Sequence, residues 1–139
     1  MLGEIFMAST TRLGFHLLLK HGNPRGLPKS FVDGMFEHFD AGTKRAVLRL
    51  YRATSNPGEL AENFGQVFRI WTCPTLVIWG RADPYIPVRY AALQRDYFPS
   101  AQVVVLDRSG HWPYADDPEK VAEITLPFFQ TAMADSGAG

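Results

Sequence analysis

Two short apolar runs constrain this chain more than any other feature. TLVIW (75–79) ends at Gly80, and QVVVL (102–106) ends at Asp107. Neither alternates between apolar and polar residues. A strand with one wet face alternates, whereas a strand of a parallel sheet is covered on both faces and reads as a continuous run. Between the two lies PVRYAALQRDYF (87–98), a helical stretch opened by Pro87, at the position where a helix does not use the missing N–H. Strand, helix and strand over about thirty residues make a βαβ unit with a right-handed crossover.

Residues 1–70 have a different texture, with helical spacing and nothing that alternates like a strand. GEIFMASTTRLGFHLLLKHG (3–22) puts Ile5, Phe6, Met7, Leu13, Phe15, Leu17, Leu18 and Leu19 on one helix or two short ones, ended by Gly22–Asn23–Pro24. Pro28–Lys29–Ser30 starts a second helix carrying Phe31, Met35, Phe36 and Phe39. Gly42–Thr43 precedes a third, with Ala46, Val47, Leu50 and Tyr51 at helical spacing. Asn56–Pro57–Gly58 is a turn, followed by a helix with Leu60, Phe64, Val67 and Phe68. After the second strand, Asp117 reads as an N-cap and Pro118 as the first helical position. The final helix carries Val121, Ile124, Phe128 and Phe129, with a kink expected at Pro127.

Composition removes several classes of function. The 139 residues suffice for one core. Lys and Arg number 14, and so do Asp and Glu, so no net field attracts nucleic acid or an anionic membrane. A single cysteine, Cys73, excludes an internal disulfide and a cysteine-rich zinc site, and it fits a reducing compartment. Glu4 and the lack of a basic region make the N-terminus a poor signal peptide, so the expected location is cytoplasmic. The apolar runs are too short to span a bilayer. The tail ADSGAG (134–139) is expected to be disordered.

The βαβ unit brings chemistry to one sheet edge. In an open parallel sheet the functional crevice lies outside the carboxyl ends of the strands. Asp83 follows the first strand in WGRADPYIP, and His111 follows the second in LDRSGHWPY. Neighbouring strands lie about 4.8 Å apart, so the two side chains can reach hydrogen-bonding distance. A carboxylate bonded to one imidazole nitrogen fixes the tautomer and leaves the other nitrogen as a base. Asp107 is a rival acid, read instead as a cap of the turn before Gly110. Asp116 and Asp117 are assigned to the helix start, and Arg81 and Arg89 to solvent. His16, His21 and His38 lack partner spacing and are read as structural. Trp112 and Tyr114 either line a pocket or pack over the loop, with Trp112 the candidate substrate contact.

These motifs together resemble the C-terminal end of the α/β-hydrolase fold family. PTLVIWGRADPYIP supplies the G-x-x-D-x-x-x-P loop as Gly80, Asp83 and Pro87, and SGHWPYADDPEKVAE supplies the G-H loop as Gly110–His111 and the D-P-E helix start as Asp117–Pro118–Glu119. The resemblance implies an α/β chain with an incomplete α/β-hydrolase fold. Residues 1–70 would be a helical cap-like segment, 71–133 the C-terminal part of the core with a β-α-β-α unit and two parallel strands, and 134–139 a tail. It implies Asp83 as triad acid, His111 as base, a small-molecule substrate in the intact enzyme, and no cofactor or metal.

The family's nucleophile sits on a G-x-S-x-G elbow, or one with Asp or Cys, ahead of the acid and the histidine. None of Ser9, Ser30, Ser55, Ser100, Ser109 and Ser136 is flanked that way, Asp33 lies inside a helical pattern, and Cys73 precedes a strand. The expectation is a fragment supplying only acid and histidine to a hydrolase. The alternatives are one half of a split enzyme, completed by an N-terminal half, and a non-catalytic binding module.

Overall fold

The computed structural model describes Met7, residues 10–54 and residues 56–136. Along them run α1 (Arg12–Gly22), α2 (Lys29–Glu37), α3 (Ala41–Ala53), α4 (Pro57–Phe68), β1 (Thr75–Gly80), α5 (Arg89–Tyr97), β2 (Ala101–Leu106), α6 (Pro113–Asp116) and α7 (Pro118–Ser136). β1 and β2 pair in parallel, with Thr75 opposite Ala101 and Gly80 opposite Leu106. The two strands therefore end level, and the loops that follow leave from the same edge.

Caps set the helix starts. Thr11 accepts from the Gly14 N–H at 3.1 Å, satisfying one of the orphan donors at the start of α1. Asp40 does the same for Thr43 at 2.7 Å, so α3 begins at Ala41, ahead of the expected Gly42–Thr43. Asn56 caps α4, and Pro57 is its first residue rather than part of a turn. α2 stops at Glu37, leaving Phe39 beyond its end. The short α6 was not anticipated. α7 continues across Pro127 and runs to Ser136, three residues into the segment expected to be disordered. Ile5 and Phe6 of the expected first helix, and residues 137–139, lie outside the described residues.

Phe15, Leu19 and Gly22 are buried at i, i+4 and i+7 of α1, the stripe of a helix with one covered face. Phe15, Leu19 and Val32 form the core between α1 and α2, with Met35, Phe36, Phe39 and Trp112 packed against them. Burial of side chains this size contributes roughly 1.5–3 kcal/mol each. The Phe15 ring meets Phe36 at 5.6 Å and Phe39 at 5.3 Å. Asp33 of α2 adds a polar cross-link, accepting from Arg12 at 2.8 Å, contacting His16 Nε2 at 2.9 Å and pairing with Lys29. His16 thus has an acidic partner that sequence spacing did not reveal. These contacts hold the Asp33 carboxyl well below the usual carboxylate range, the Lys29 ammonium being the largest cause. Near the sheet, Phe68 of α4 stacks on Phe98 at 4.7 Å, joining α4 to the end of α5.

Candidate active site

The ladder between β1 and β2 extends past the strand ends. Arg81 donates its N–H to the Leu106 carbonyl at 3.0 Å, and Ala82 donates to the Ser109 carbonyl at 3.0 Å. The two loops therefore leave the sheet as a bonded pair. Glycine is required where they touch. A Cβ on Gly80 would lie 1.9 Å from the Gly110 carbonyl oxygen, and a Cβ on Gly110 would lie 2.1 Å from the Gly22 carbonyl oxygen. The backbone of 109–111 is pressed between the end of β1 and the end of α1, with no room for a side chain on either side.

Asp83 is held firmly in this corner. Its Oδ1 accepts from the N–H groups of Tyr85 at 2.8 Å and Ile86 at 3.0 Å. Its Oδ2 lies 2.8 Å from His111 Nδ1. The Asp83 side chain is 7% exposed and that of His111 is 32% exposed. Burial pushes the Asp83 carboxyl up, but the His111 ring and the Ile86 and Tyr85 amides together outweigh it, and its pKa is lowered. The carboxylate is thus ionised and oriented, and it favours the tautomer in which Nδ1 carries the proton. Among the described residues nothing hydrogen-bonds His111 Nε2. The ring borders a small hollow of about 180 Å³ with Ile78, Trp79, Ile86 and Pro113. Trp79 closes the Asp83 loop by donating from Nε1 to the Ile86 carbonyl at 3.2 Å. The Tyr85 ring stands edge-on to His111, with centroids 5.1 Å apart.

The neighbouring acids take other parts. Asp107 pairs with Arg81 at 2.5 Å on the surface, so it does not cap the turn and Arg81 is not simply solvated. Asp116 ends α6 and turns inward, its Oδ2 accepting from the Gly110 N–H at 2.6 Å. It belongs to the histidine loop rather than to the next helix. Burial raises its pKa, and the Gly110 bond only partly offsets this. Asp117 starts α7 through its carbonyl, which accepts from Val121 at 3.0 Å, while its side chain pairs with Arg25.

Asn23 was read only as part of a helix terminator, yet it is 1% exposed and meets the same loop. Its Oδ1 accepts from the Trp112 N–H at 2.8 Å, and its Nδ2 donates to the Leu19 carbonyl at 2.9 Å. Asn23 and Asp116 are the site's neighbours that sequence reasoning missed, and no local pattern marks either.

Trp112 lies beside His111, with ring centroids 6.2 Å apart, and edge-on to Phe31. It lines a cavity of about 730 Å³ with Phe15, Leu18, Met35, Phe39 and Val47. Tyr114 is exposed and borders a separate apolar groove with Phe68, Phe98 and Phe128. His38 contacts the Gly34 carbonyl at 2.8 Å, and His21 packs edge-on to Tyr85. Ser109 is fully buried, and its hydroxyl has no partner among the described residues. Among the described residues no hydroxyl or thiol hydrogen-bonds His111, and no group of three or more His, Cys, Asp or Glu can hold a metal ion. No helix among them is long and apolar enough to cross a membrane.

An acid and a histidine thus lie on adjacent loops at the carboxyl ends of paired parallel strands. The chain belongs to the alpha/beta hydrolase family, whose family model matches residues 3–124. It is 24% identical to a 2-hydroxy-6-oxononadienedioate/2-hydroxy-6-oxononatrienedioate hydrolase of a Pseudomonas species over 105 residues, 76% of this chain and 36% of that protein. It is 36% identical over 58 residues to a hydrolase of the same description from Cupriavidus pinatubonensis, covering 42% of this chain and 20% of that one. An uncharacterized Mycobacterium tuberculosis protein is 30% identical over 74 residues, 53% of this chain and 22% of the relative. The chain thus spans between about a fifth and just over a third of these relatives. Among solved structures, a candidate lipase from Acinetobacter baumannii superposes with a TM-score of 0.74 at 22% identity, over 88% of this chain and 42% of that one. This chain has an incomplete α/β-hydrolase fold, with two parallel strands among the described residues.

Proposed function

We propose that this chain contributes the acid and the base of a nucleophile–His–Asp hydrolase whose nucleophile and oxyanion donors lie on polypeptide outside it. The observation that carries the reading is the 2.8 Å contact between Asp83 Oδ2 and His111 Nδ1, with the other Asp83 oxygen held by two amides. In this reading His111 Nε2 takes the proton from the nucleophile and returns it to the leaving group, and Asp83 stabilises the imidazolium that forms between the two steps.

Surface properties support a missing companion. The accessible surface is 9830 Å², against about 7,300 Å² for a compact monomer of this size. Large apolar side chains are left in water, among them Ile70, Leu50 and Met133. Among the described residues each strand of the two-stranded sheet has one unpaired edge, and two strands alone are marginal. A companion carrying further parallel strands would cover both features. Residues 1–70 act in this account as a cap, and Trp112 as a wall of the substrate pocket. The 730 Å³ cavity has no lysine, arginine or carboxylate in its lining among the described residues. That favours an uncharged apolar group at this end of the substrate, unlike the dioates in the names of the relatives.

The test is hydrolysis of p-nitrophenyl butyrate by the chain alone and by the chain joined to a segment bearing a nucleophile elbow. Alone, it should be no faster than His111→Ala; joined, it should turn over and lose that turnover with His111→Ala. Robust turnover by the chain alone, lost on changing His111, would place a nucleophile within these residues and sink the proposal.

A further inference from the structure

We propose that Asn23 is a positioning residue for His111, so that the last turn of α1, and not the sheet alone, sets the direction of the base. The inference rests on reading Asp83 and His111 as the acid–base pair. Backbone bonds from the sheet side hold the histidine loop only as far as Ser109, and α6 takes the Gly110 N–H. Ser109 donates to Leu106 at 3.3 Å and accepts from Ala82 at 3.0 Å, and Gly110 donates to Asp116 at 2.6 Å. The next two N–H groups turn toward α1. His111 donates to the Gly22 carbonyl at 2.7 Å, and Trp112 donates to Asn23 Oδ1 at 2.8 Å.

The side-chain amide of Asn23 is one planar unit with its donor and acceptor at fixed separation. Its donor is fixed on the Leu19 carbonyl at 2.9 Å, inside the helix that buries Leu19 in the core. The acceptor, and with it the Trp112 backbone, is therefore placed by α1. The same turn also touches the acid loop, since the Tyr85 hydroxyl donates to the Leu18 carbonyl at 3.4 Å and the Tyr85 ring abuts His111. A shift of α1 relative to the sheet moves the base and its neighbour together. A hydrophobic contact would hold the distance, but only directional bonds fix the rotation of the His111 backbone and thus the line from Nδ1 to Asp83.

The experiment follows the imidazole ¹⁵N signals of His111 in the full chain. In the wild type the Nδ1-protonated tautomer is expected to dominate. Asn23→Ala is expected to mix the two tautomers while the β1 and β2 amide signals stay in place. Asn23→Asp keeps an acceptor oxygen but loses the donor to the Leu19 carbonyl, so it is expected to mix the tautomers as Asn23→Ala does. An unchanged His111 signal in Asn23→Ala overturns the inference. Asp83→Asn in the same series separates the two readings. If it also leaves His111 unchanged, the acid–base pairing itself fails; if it alone shifts the signal, only the role of Asn23 fails. Should Asn23→Ala not fold, amide exchange in the wild type decides. The His111 and Trp112 N–H groups are expected to exchange as slowly as those of β1 and β2, and exchange at the rate of exposed loop amides overturns the proposal.

Discussion

Asp83 and His111, 28 residues apart in the chain, meet through an Oδ2–Nδ1 contact of 2.8 Å. They meet because Gly80 and Leu106 are register partners at the ends of parallel strands, so that each loop starts from the same level. The same contact leaves Nε2 without a hydrogen-bond partner among the described residues, and His111 borders a hollow with Ile78 and Trp79.

In the joined enzyme, Asp83→Asn should lower kcat by about 10⁴, because a neutral amide no longer enforces the tautomer or stabilises the imidazolium. KM should change far less, since in this reading Asp83 acts through His111 and not on the substrate. Steady-state kinetics check this, and a loss carried by KM would contradict it.

Gly110→Ala should destabilise the fold by about 1–3 kcal/mol, since its Cβ would lie 2.1 Å from the Gly22 carbonyl oxygen. Gly34→Ala is the control. It lies inside α2 with nothing within 4 Å of the added methyl, and alanine there should stabilise by about 0.8–1 kcal/mol. Urea midpoints of the two variants should move in opposite directions.

Asp116 gives a pH dependence of definite sign. Its pKa in the fold is raised above the ordinary 3.8. A group of that kind contributes stability that is fully present below the unfolded value and lost as pH rises through the folded one. Asp116→Asn keeps an acceptor for Gly110 and removes the titration. The wild type should therefore gain on this variant as the pH falls from 7 toward 4, measured by denaturant midpoints. A wild type that loses ground over that range would contradict the assignment.

Much of this was legible because it depends on short-range pattern. The runs at 75–79 and 102–106 carry strand signals in their own residues, and Asp83 and His111 sit at fixed offsets behind them. Asn23 and Asp116 were illegible for a physical reason. Asn23 earns its burial from a contact 89 residues away, and "GNP" reads equally well as a plain helix stop. Asp116 sits where any acid before Asp117–Pro118 looks like a cap, and only the turn of α6 aims it at Gly110. The link between His16 and Asp33, 17 residues apart, is likewise set by how α1 packs on α2. Helix starts moved by a residue or more at Asp40 and Asn56 because side-chain caps, rather than the first apolar residue, decide where the backbone enters the helix.

The most direct test of the central claim is the tautomer of His111 in the wild-type chain at neutral pH, read from its ring ¹⁵N shifts. The account predicts a proton on Nδ1, directed at Asp83, with Nε2 unprotonated and available as a base. A ring protonated on Nε2, with Nδ1 bare toward the ionised Asp83, would contradict it, because the nitrogen assigned as the base would then carry the proton.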